Sequence, residues 1–305
     1  MTARLLSPLK TYVQREVNAT VHGSGGMHLE RYETPLGDPG LLGPDTVTWR
    51  VHSDPPGMLM GGFASLMLQA LHPLAMAGVD QHSDFRTDPI GRLNRTVAYV
   101  LATTFGSTPV AEAAIARVRK IHPYVHGTAD DGRPYRADDP ELLTWVHIAE
   151  ARCFLAGYET FGAPRLTPAE RDQYFRETAG LARRLGAEDI PETAADVAKY
   201  LKRLRPELRA TEAALEGIHF IKKYGRTRQE RAAVSILMNG AAAILPKWAR
   251  DPLGLGRSDA QVALIDRPLA QAAGRGLRWA VQPSEIVGAS YRRMGREVPG
   301  FWAGR

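Results

Sequence analysis

Apolar side chains along the chain recur mainly at intervals of three and four residues, the spacing that places them on one face of an α-helix. Leu143, His147 and Phe154 share such a face. Alternation of apolar and polar residues, which is typical of strands, is weak, and residues 46–51 are the only fair candidate. The pattern predicts an all-α protein. Helices are expected at residues 57–77, 94–104, 110–121, 206–215 and 228–245.

Capping residues predict three further helices and their boundaries. Asp139 precedes a proline and a glutamate, so a helix should begin there and run to about residue 162. Thr167 has a glutamate three residues later, which predicts a capping box and a helix that ends near Gly186. Thr193 should begin a third helix, which Pro206 interrupts. The residues between these helices include a turn-rich connection at 127–139, and the N-terminal arm is expected to be rich in loops.

The size and composition of the chain are typical of one soluble globular domain. The 305 residues are 44% hydrophobic and 24% charged, without low-complexity tracts. The net charge of +6 is spread along helix faces where carboxylates interleave with arginines, so no nucleic-acid partner is expected. A homodimer is compatible with this composition. We expect a single domain over residues 1–305, with a family-like core at about 45–250 and a C-terminal extension at 251–305.

Cysteine content and hydropathy predict a cytoplasmic protein without an integral membrane span. Cys153 is the only cysteine, which excludes an internal disulfide and any site built from several thiolates. The longest apolar stretch, residues 58–79, is broken by His72 and Pro73 and by glycines, so it is interpreted as buried helices. We expect a reducing, cytoplasmic location.

Several common functional motifs are absent from the sequence. Residues 127–139 lack the acidic spacing and closing glutamate of a calcium loop. No glycine-rich phosphate loop follows a strand, and no serine lies in a nucleophile elbow. Nucleotide-dependent and hydrolytic chemistry therefore find no support, and histidine and arginine remain as the candidate functional residues.

Four of the nine histidines, together with Arg92 and Arg95, lie between residues 69 and 127, within apolar, helix-forming sequence. Such groups are costly to bury unless something binds them. His122 and His147 both fall on expected buried helix faces and could converge on one pocket. A lone buried histidine is more often satisfied by a backbone carbonyl. His72 and His82 lie at helix ends, where structural roles are favoured.

An ordered set of short blocks resembles a known family. The family includes the MpaB-type oxygenases of mycophenolic acid biosynthesis and the catalytic domain of the rubber oxygenase, or latex-clearing protein. Most of its bacterial members have no characterised function. The resemblance covers about residues 45–250. Its blocks are Trp49 and residues 57–62, 68–73, 77–83, 91–96, 105–106, 118–122, 125–127, 135–140 and 143–147.

The resemblance implies a globin-like helical core that binds haem b through one histidine. The proximal histidine of the rubber oxygenases lies in a Leu-His-x-x-Val motif, which corresponds here to Ile121-His122-x-x-Val125. His122 is thus the expected iron ligand. The distal Arg-x-x-Lys-Thr motif corresponds to Arg92-Leu-Asn-Arg95-Thr96. Arg92, Arg95 and Thr96 are the expected catalytic groups, and they could hold haem propionates or polarise dioxygen by charge-assisted hydrogen bonds.

Two departures from the family pattern leave alternatives open. Arg95 replaces the lysine, and because a guanidinium has no accessible neutral form it is a poor iron ligand. Pro123 directly follows the proposed ligand and should end or kink its helix, which keeps His126 as an alternative ligand. His147 is expected beside the cofactor or in the pocket wall.

The sequence therefore predicts a haem b-dependent oxygenase that acts on a hydrophobic small molecule with dioxygen. A haem-dependent dehydrogenase or peroxidase-like enzyme is one alternative, and a non-catalytic haem- or lipid-binding protein is another. A third is a non-haem metalloenzyme that combines histidines from this region with a carboxylate. No acidic residue in the distal blocks has a spacing that identifies it as a catalytic base.

Overall fold

The computed structural model describes residues 29–162, 164–225, 227–281 and 284–299. Within these ranges the chain is predominantly helical and has one two-stranded antiparallel sheet, which confirms the all-α prediction. The helices are α1 (Glu30–Glu33), α2 (Val47–His52), α3 (Pro55–Gln69), α4 (Pro73–His82), α5 (Pro89–Phe105), α6 (Thr108–Ile121), α7 (Pro140–Phe161), α8 (Pro168–Leu185), α9 (Ala194–Leu204), α10 (Glu212–Lys223), α11 (Arg228–Ile244), α12 (Lys247–Arg250), α13 (Asp259–Gln261), α14 (Arg267–Val281) and α15 (Glu285–Arg293). The strands are β1 (His126–Thr128) and β2 (Pro134–Arg136), and short 3₁₀ turns lie at His122–Tyr124 and Arg205–Glu207, with a π-helical turn at Val262–Asp266.

Close packing of α3 against α7 forms the centre of the fold. Glycines allow the two backbones to approach each other. A Cβ atom at Gly61 would lie 2.7 Å from the carbonyl oxygen of Cys153, and one at Gly157 would lie 2.3 Å from the carbonyl oxygen of Gly57. Neither position has room for a side chain. Large buried side chains such as Trp145 surround the crossing and belong to the main apolar core.

The predicted caps are confirmed. Asp139 accepts hydrogen bonds from the backbone N–H groups of Glu141 and Leu142 at 2.9 and 3.0 Å. Thr167 begins α8 with the expected capping box, and Gly186 ends it in the left-handed conformation with φ of 108°. Each of these signals acts within a few residues, which is why the sequence alone could locate it.

The strand expected at residues 46–51 is wrong, because this segment forms helix α2. The Thr46 hydroxyl accepts a hydrogen bond from the backbone N–H of Trp49 at 3.2 Å, so it caps a helix. Thr48 donates its hydroxyl hydrogen to Glu177 on α8 at 2.7 Å, and Trp49 and Val51 are buried. The cap and these tertiary contacts outweigh the β-propensity of the threonines and valines.

Two predicted helices have different boundaries in the structure. Residues 57–77 form α3 and α4, which meet at a bend of 103°, because Pro73 cannot donate the hydrogen bond that would continue α3. The helix expected at 206–215 begins only at Glu212. The backbone N–H of Arg209 donates to the Leu71 carbonyl at 2.8 Å, which holds the preceding segment against the bend, and Thr211 then caps α10.

Two other segments contain more regular structure than the sequence predicted. Helix α5 begins at Pro89 rather than at residue 94, because Asp88 caps it by accepting from the backbone N–H of Gly91 at 2.9 Å. The turn-rich connection at 127–139 contains most of a β-hairpin, in which His126 pairs with Arg136.

The C-terminal segment, which the sequence could not place, packs against the rest of the fold. Helix α14 contacts α3, α7 and α11, and α15 contacts α1 and α5. Arg278 on α14 pairs with the fully buried Asp54 at 2.7 Å. Arg293 on α15 is buried and donates to the backbone carbonyls of Tyr32 and Phe105 at 2.7 and 2.9 Å.

None of the described helices is by itself long and apolar enough to cross a membrane. The α3–α4 pair meets the length and composition criteria only as two helices taken together across their bend. Helix α3 contributes Met60, Met67 and Leu68 to the main core, whereas the buried Met76 of α4 belongs to a smaller apolar cluster.

Candidate functional site

Helices α5 and α6 are successive and packed together, and they bring the two main candidate residues to the same end of the pair. Only Gly106 and Ser107 connect the helices. Arg92 lies about 20 Å along α5 from this turn, and His122 lies about as far along α6, at 1.5 Å per helical residue. Over their fully described lengths, neither helix brings its backbone into extended contact with α7.

His122 ends the inner face of α6. Ala111 and Ile115 precede it on this face and are buried. One ring nitrogen hydrogen-bonds to the backbone of Ala137, whose amide N–H already donates to Val125, so the carbonyl oxygen accepts from the imidazole. Burial lowers the pKa of His122, and the charge of Asp138 and this hydrogen bond oppose the effect. The other ring nitrogen has no hydrogen-bond partner among the described residues.

His126, the alternative ligand, has different surroundings. Helix α6 ends at Ile121, directly before His122 and Pro123, as the proline predicted. His126 then lies on β1 with an exposed side chain, and its backbone carbonyl is 3.1 Å from the His82 ring nitrogen. The choice between the two histidines stays a prediction, but only His122 combines partial burial with an orienting hydrogen bond.

A cluster of titratable side chains lies where α7 faces α5 and α8. It consists of Tyr99 on α5, His147 and Glu150 on α7, and Tyr174 on α8, and we call it the titratable cluster. His147 Nε2 is buried without a hydrogen-bond partner. Burial, together with the charge of Arg183, lowers the pKa of His147 to about 4. Burial alone raises the pKa of Glu150 to about 7, and both tyrosines have raised pKa values through burial and the nearby Glu150 charge.

The sequence analysis missed Glu150. The spacing signal was present, since Glu150 follows His147 by three residues and shares its helix face. No described residue donates a hydrogen bond to its carboxylate. A buried carboxyl group with a pKa near neutrality can give up or take a proton at physiological pH.

His52 closes the inner end of this region and was not singled out from the sequence either. Its Nδ1 lies 2.8 Å from the Thr104 hydroxyl and its Nε2 lies 3.1 Å from the Tyr174 hydroxyl. Its ring also contacts Phe154 edge-on, with centroids 5.2 Å apart. Burial lowers its pKa to about 3. With both nitrogens engaged, His52 acts as a structural link between α2, α5 and α8.

The structure separates the three residues of the predicted distal motif. Arg95 is exposed and lies 3.9 and 3.6 Å from the carboxylates of Asp84 and Asp88. Thr96 is exposed and donates its hydroxyl hydrogen to the Arg92 carbonyl at 3.3 Å. Arg92 instead points into the protein, where burial and the charge of Arg95 lower its pKa. Catalytic roles for Arg95 and Thr96 stay predictions, and Arg92 alone lines an internal space.

That space is an apolar cavity of about 190 Å³. Most of its lining side chains come from α3, α4, α5, α10 and α11, and Arg92 is the only charged residue among those that line it. Gln69 and Tyr224 are the other polar lining residues. Val146 lines the cavity while the next residue, His147, belongs to the titratable cluster, so the two regions are neighbours across α7.

The residues present fit a haem ligated by a single histidine. Among the described residues, no three histidine, cysteine, aspartate or glutamate side chains lie together as a metal-binding group would require. A haem needs only one protein ligand with a free ring nitrogen, ideally held by a hydrogen bond from its other nitrogen. His122 meets both conditions.

Comparison with known proteins gives one match. The model of a family described as "ER-bound oxygenase mpaB/B'/Rubber oxygenase, catalytic domain" matches residues 49–279. This range covers most of the chain, includes His122 and the titratable cluster, and extends into α14 beyond the expected core. No curated protein and no solved structure matches the chain.

Proposed function

The chain belongs to the family of ER-bound oxygenases mpaB/B' and rubber oxygenase catalytic domains, and from this premise we propose that it is a haem b-dependent oxygenase that acts on a hydrophobic small molecule. Family membership supports the general oxygenase activity, with dioxygen as a co-substrate. The haem, its ligand, the substrate class and a cytoplasmic location are parts of the proposal.

The observation that carries the haem proposal is the arrangement of His122. The Ala137 carbonyl accepts a hydrogen bond from one ring nitrogen, which fixes the ring and leaves the other nitrogen free for iron. The lowered pKa keeps the imidazole neutral, the form that binds a metal. A bound haem would supply the redox chemistry that dioxygen needs to attack a hydrocarbon.

The protein's own residues would bind substrate, exclude water and hold a proton. The apolar cavity beside α5 and α7 suits a hydrophobic substrate and keeps water away from it. Across α7, Glu150 is protonated for part of its population at neutral pH and is the nearest candidate to exchange a proton during turnover.

The first test is the absorption spectrum of purified protein after reconstitution with haemin, for the wild type and His122→Ala. We expect wild-type protein to bind about one haem per chain, and His122→Ala to lose the ligand-dependent spectrum. His126→Ala is the matched control, because it removes an exposed histidine four residues away. It should leave the spectrum unchanged.

Two results would decide against the proposal. Wild-type protein that takes up no haem would exclude the cofactor. An unchanged spectrum in His122→Ala would assign the ligand to His126 if His126→Ala loses the spectrum, and otherwise His147 is the next residue to replace. Oxygen consumption with hydrophobic substrates then separates an oxygenase from a non-catalytic haem- or lipid-binding protein. Hydrogen peroxide in place of dioxygen tests the peroxidase-like alternative.

A further inference from the structure

Arg92 is a partly buried cation that pairs with none of the described carboxylates. Its pKa is lowered by burial first and by the positive charge of Arg95 second, and no carboxylate raises it. Within the described residues, its guanidinium makes no hydrogen bond and no ion pair. The two carboxylates nearest in sequence, Asp84 and Asp88, pair with Arg95 at the surface instead. An uncompensated buried charge is costly, and a bound anion would remove most of that cost.

The cavity that Arg92 lines is suited to a hydrocarbon chain. Phe63, Met67, Ile218 and other apolar side chains make up nearly all of its wall. A single cation in such a wall favours a ligand with one anionic end and a long apolar body. A purely apolar ligand would leave the guanidinium unpaired, and a small inorganic anion would leave the apolar wall unused.

We propose that this cavity binds an amphipathic carboxylic acid, with its carboxylate on the Arg92 guanidinium and its hydrocarbon chain between α3, α4, α10 and α11. This assignment rests on the proposed function only in treating the cavity as the substrate site. A guanidinium can donate two parallel hydrogen bonds to a carboxylate, so it fixes the orientation of the chain as well as its charge.

A carboxylate at Arg92 could also come from a haem propionate. The composition of the cavity wall favours the acid. No histidine or cysteine is among its lining residues, and the proposed iron ligand His122 is not part of it. The chain of an acid would fill the apolar space that extends from Arg92 to α10 and α11, whereas a propionate would occupy only the guanidinium.

The test is calorimetric titration of the protein with octanoate, octan-1-ol and octyltrimethylammonium, which share one chain and differ in charge. We expect octanoate to bind about tenfold or more tighter than octanol, because octanoate forms a charge-assisted hydrogen bond that octanol lacks. The cation should not bind. Arg92→Gln should remove the preference for octanoate over octanol, and Arg92→Lys should keep part of it.

Two further variants separate the charge from the cavity. Arg95→Gln removes the same charge one turn away and should change octanoate affinity by less than about twofold, because Arg95 points to solvent. Gly217→Leu adds a side chain to the cavity wall, where a Cβ atom would meet only Phe85 at 3.8 Å. Gly217→Leu should weaken the binding of octanoate and of octanol equally.

The titrations are made with haem-free and haem-loaded protein, which distinguishes the two carboxylates. The proposal is supported if octanoate binds both forms with the same preference. It is overturned if octanoate binds no tighter than octanol, or if Arg95→Gln acts like Arg92→Gln. It is also overturned if haem abolishes octanoate binding and Arg92→Gln weakens haem uptake, because Arg92 then holds a propionate. Failure of haem uptake alone would leave this result intact.

Discussion

The ionisable residues of the titratable cluster are held in their neutral forms by burial rather than by ionic partners. His147, with a pKa of about 4, is an uncharged imidazole at neutral pH, and Glu150, with a pKa of about 7, is close to half protonated. Neither has an oppositely charged neighbour that accounts for its shift. Such residues cost stability, which makes them candidates for chemistry rather than for structure.

Glu150→Gln should therefore stabilise the protein at alkaline pH. The folded pKa of Glu150 lies above the ordinary glutamate value of 4.5, so the folded state loses stability as pH rises from about 4.5 to 7 and does not regain it above 7. We expect a gain of about 1–3 kcal/mol at pH 8, smaller at pH 5, from urea unfolding at both pH values.

Glu141→Gln provides the control for this change, because Glu141 is exposed on the first turn of the same helix. It should give no gain at pH 8. If Glu150→Gln destabilised the protein at pH 8, the carboxylate would have a partner that stabilises its charged form. Glu150 would then not act as a proton carrier.

At the scale of helices and strands, the sequence could predict those boundaries that a few neighbouring residues determine. Caps at Asp139, Thr167 and Thr193 are local hydrogen bonds, and all three predicted helix starts are confirmed. The strand expected at residues 46–51 failed because Glu177, far away in sequence, binds this segment as a helix. The contact between α3 and α7 was equally hidden, since glycines in a helix do not identify their partner.

The α3–α7 contact gives a prediction with a matched control. Gly157→Ala would place a Cβ atom 2.3 Å from the Gly57 carbonyl oxygen, so the helices must separate, and we expect a loss of about 3 kcal/mol. Gly180→Ala, in the interior of α8, would place its Cβ in open space, and it should instead stabilise the protein by about 0.5–1 kcal/mol. Thermal and urea unfolding of both variants measure the difference. Equal effects would mean that backbone proximity does not limit this crossing.

For the whole molecule, the candidate site depends on convergence that no single segment encodes. The cavity wall draws residues from Phe63 to Val234, and Arg92 is set apart from Arg95 only because one faces this wall and the other faces Asp84 and Asp88. His122 and His147 both lie within the matched region, and their roles stay predictions. The buried, unpartnered Nε2 of His147 became visible only in three dimensions. Roles assigned by motif alone, such as those of Arg95 and Thr96, need this spatial context.

The same burial of neutral histidines governs the acid stability of the whole haem-free protein. Burial lowers the pKa of His52 to about 3, and those of His72 and His147 to about 4, from the ordinary histidine value of 6.5. The unfolded chain therefore binds three histidine protons that the folded chain does not, and stability is complete above about pH 6.5 and is lost as pH falls toward 4. Glu150 cancels the effect of one of these three protons, because near pH 5 the Glu150 carboxyl group holds its proton more firmly in the folded state than in the unfolded state.

A net difference of two protons predicts that the free energy of unfolding falls by about 2.7 kcal/mol for each unit by which the pH is lowered near pH 5. Urea unfolding of the haem-free protein, in half-unit steps from pH 7 to 5, measures this slope directly. His52→Gln should reduce the slope by the contribution of one proton, about 1.4 kcal/mol per pH unit, whatever it does to overall stability. His219→Gln, at an exposed position on α10, is the control variant. A wild-type slope close to zero would mean that these histidines are hydrated or paired in the folded protein. The titratable cluster would then lose the water-free environment on which its proposed role in proton exchange depends.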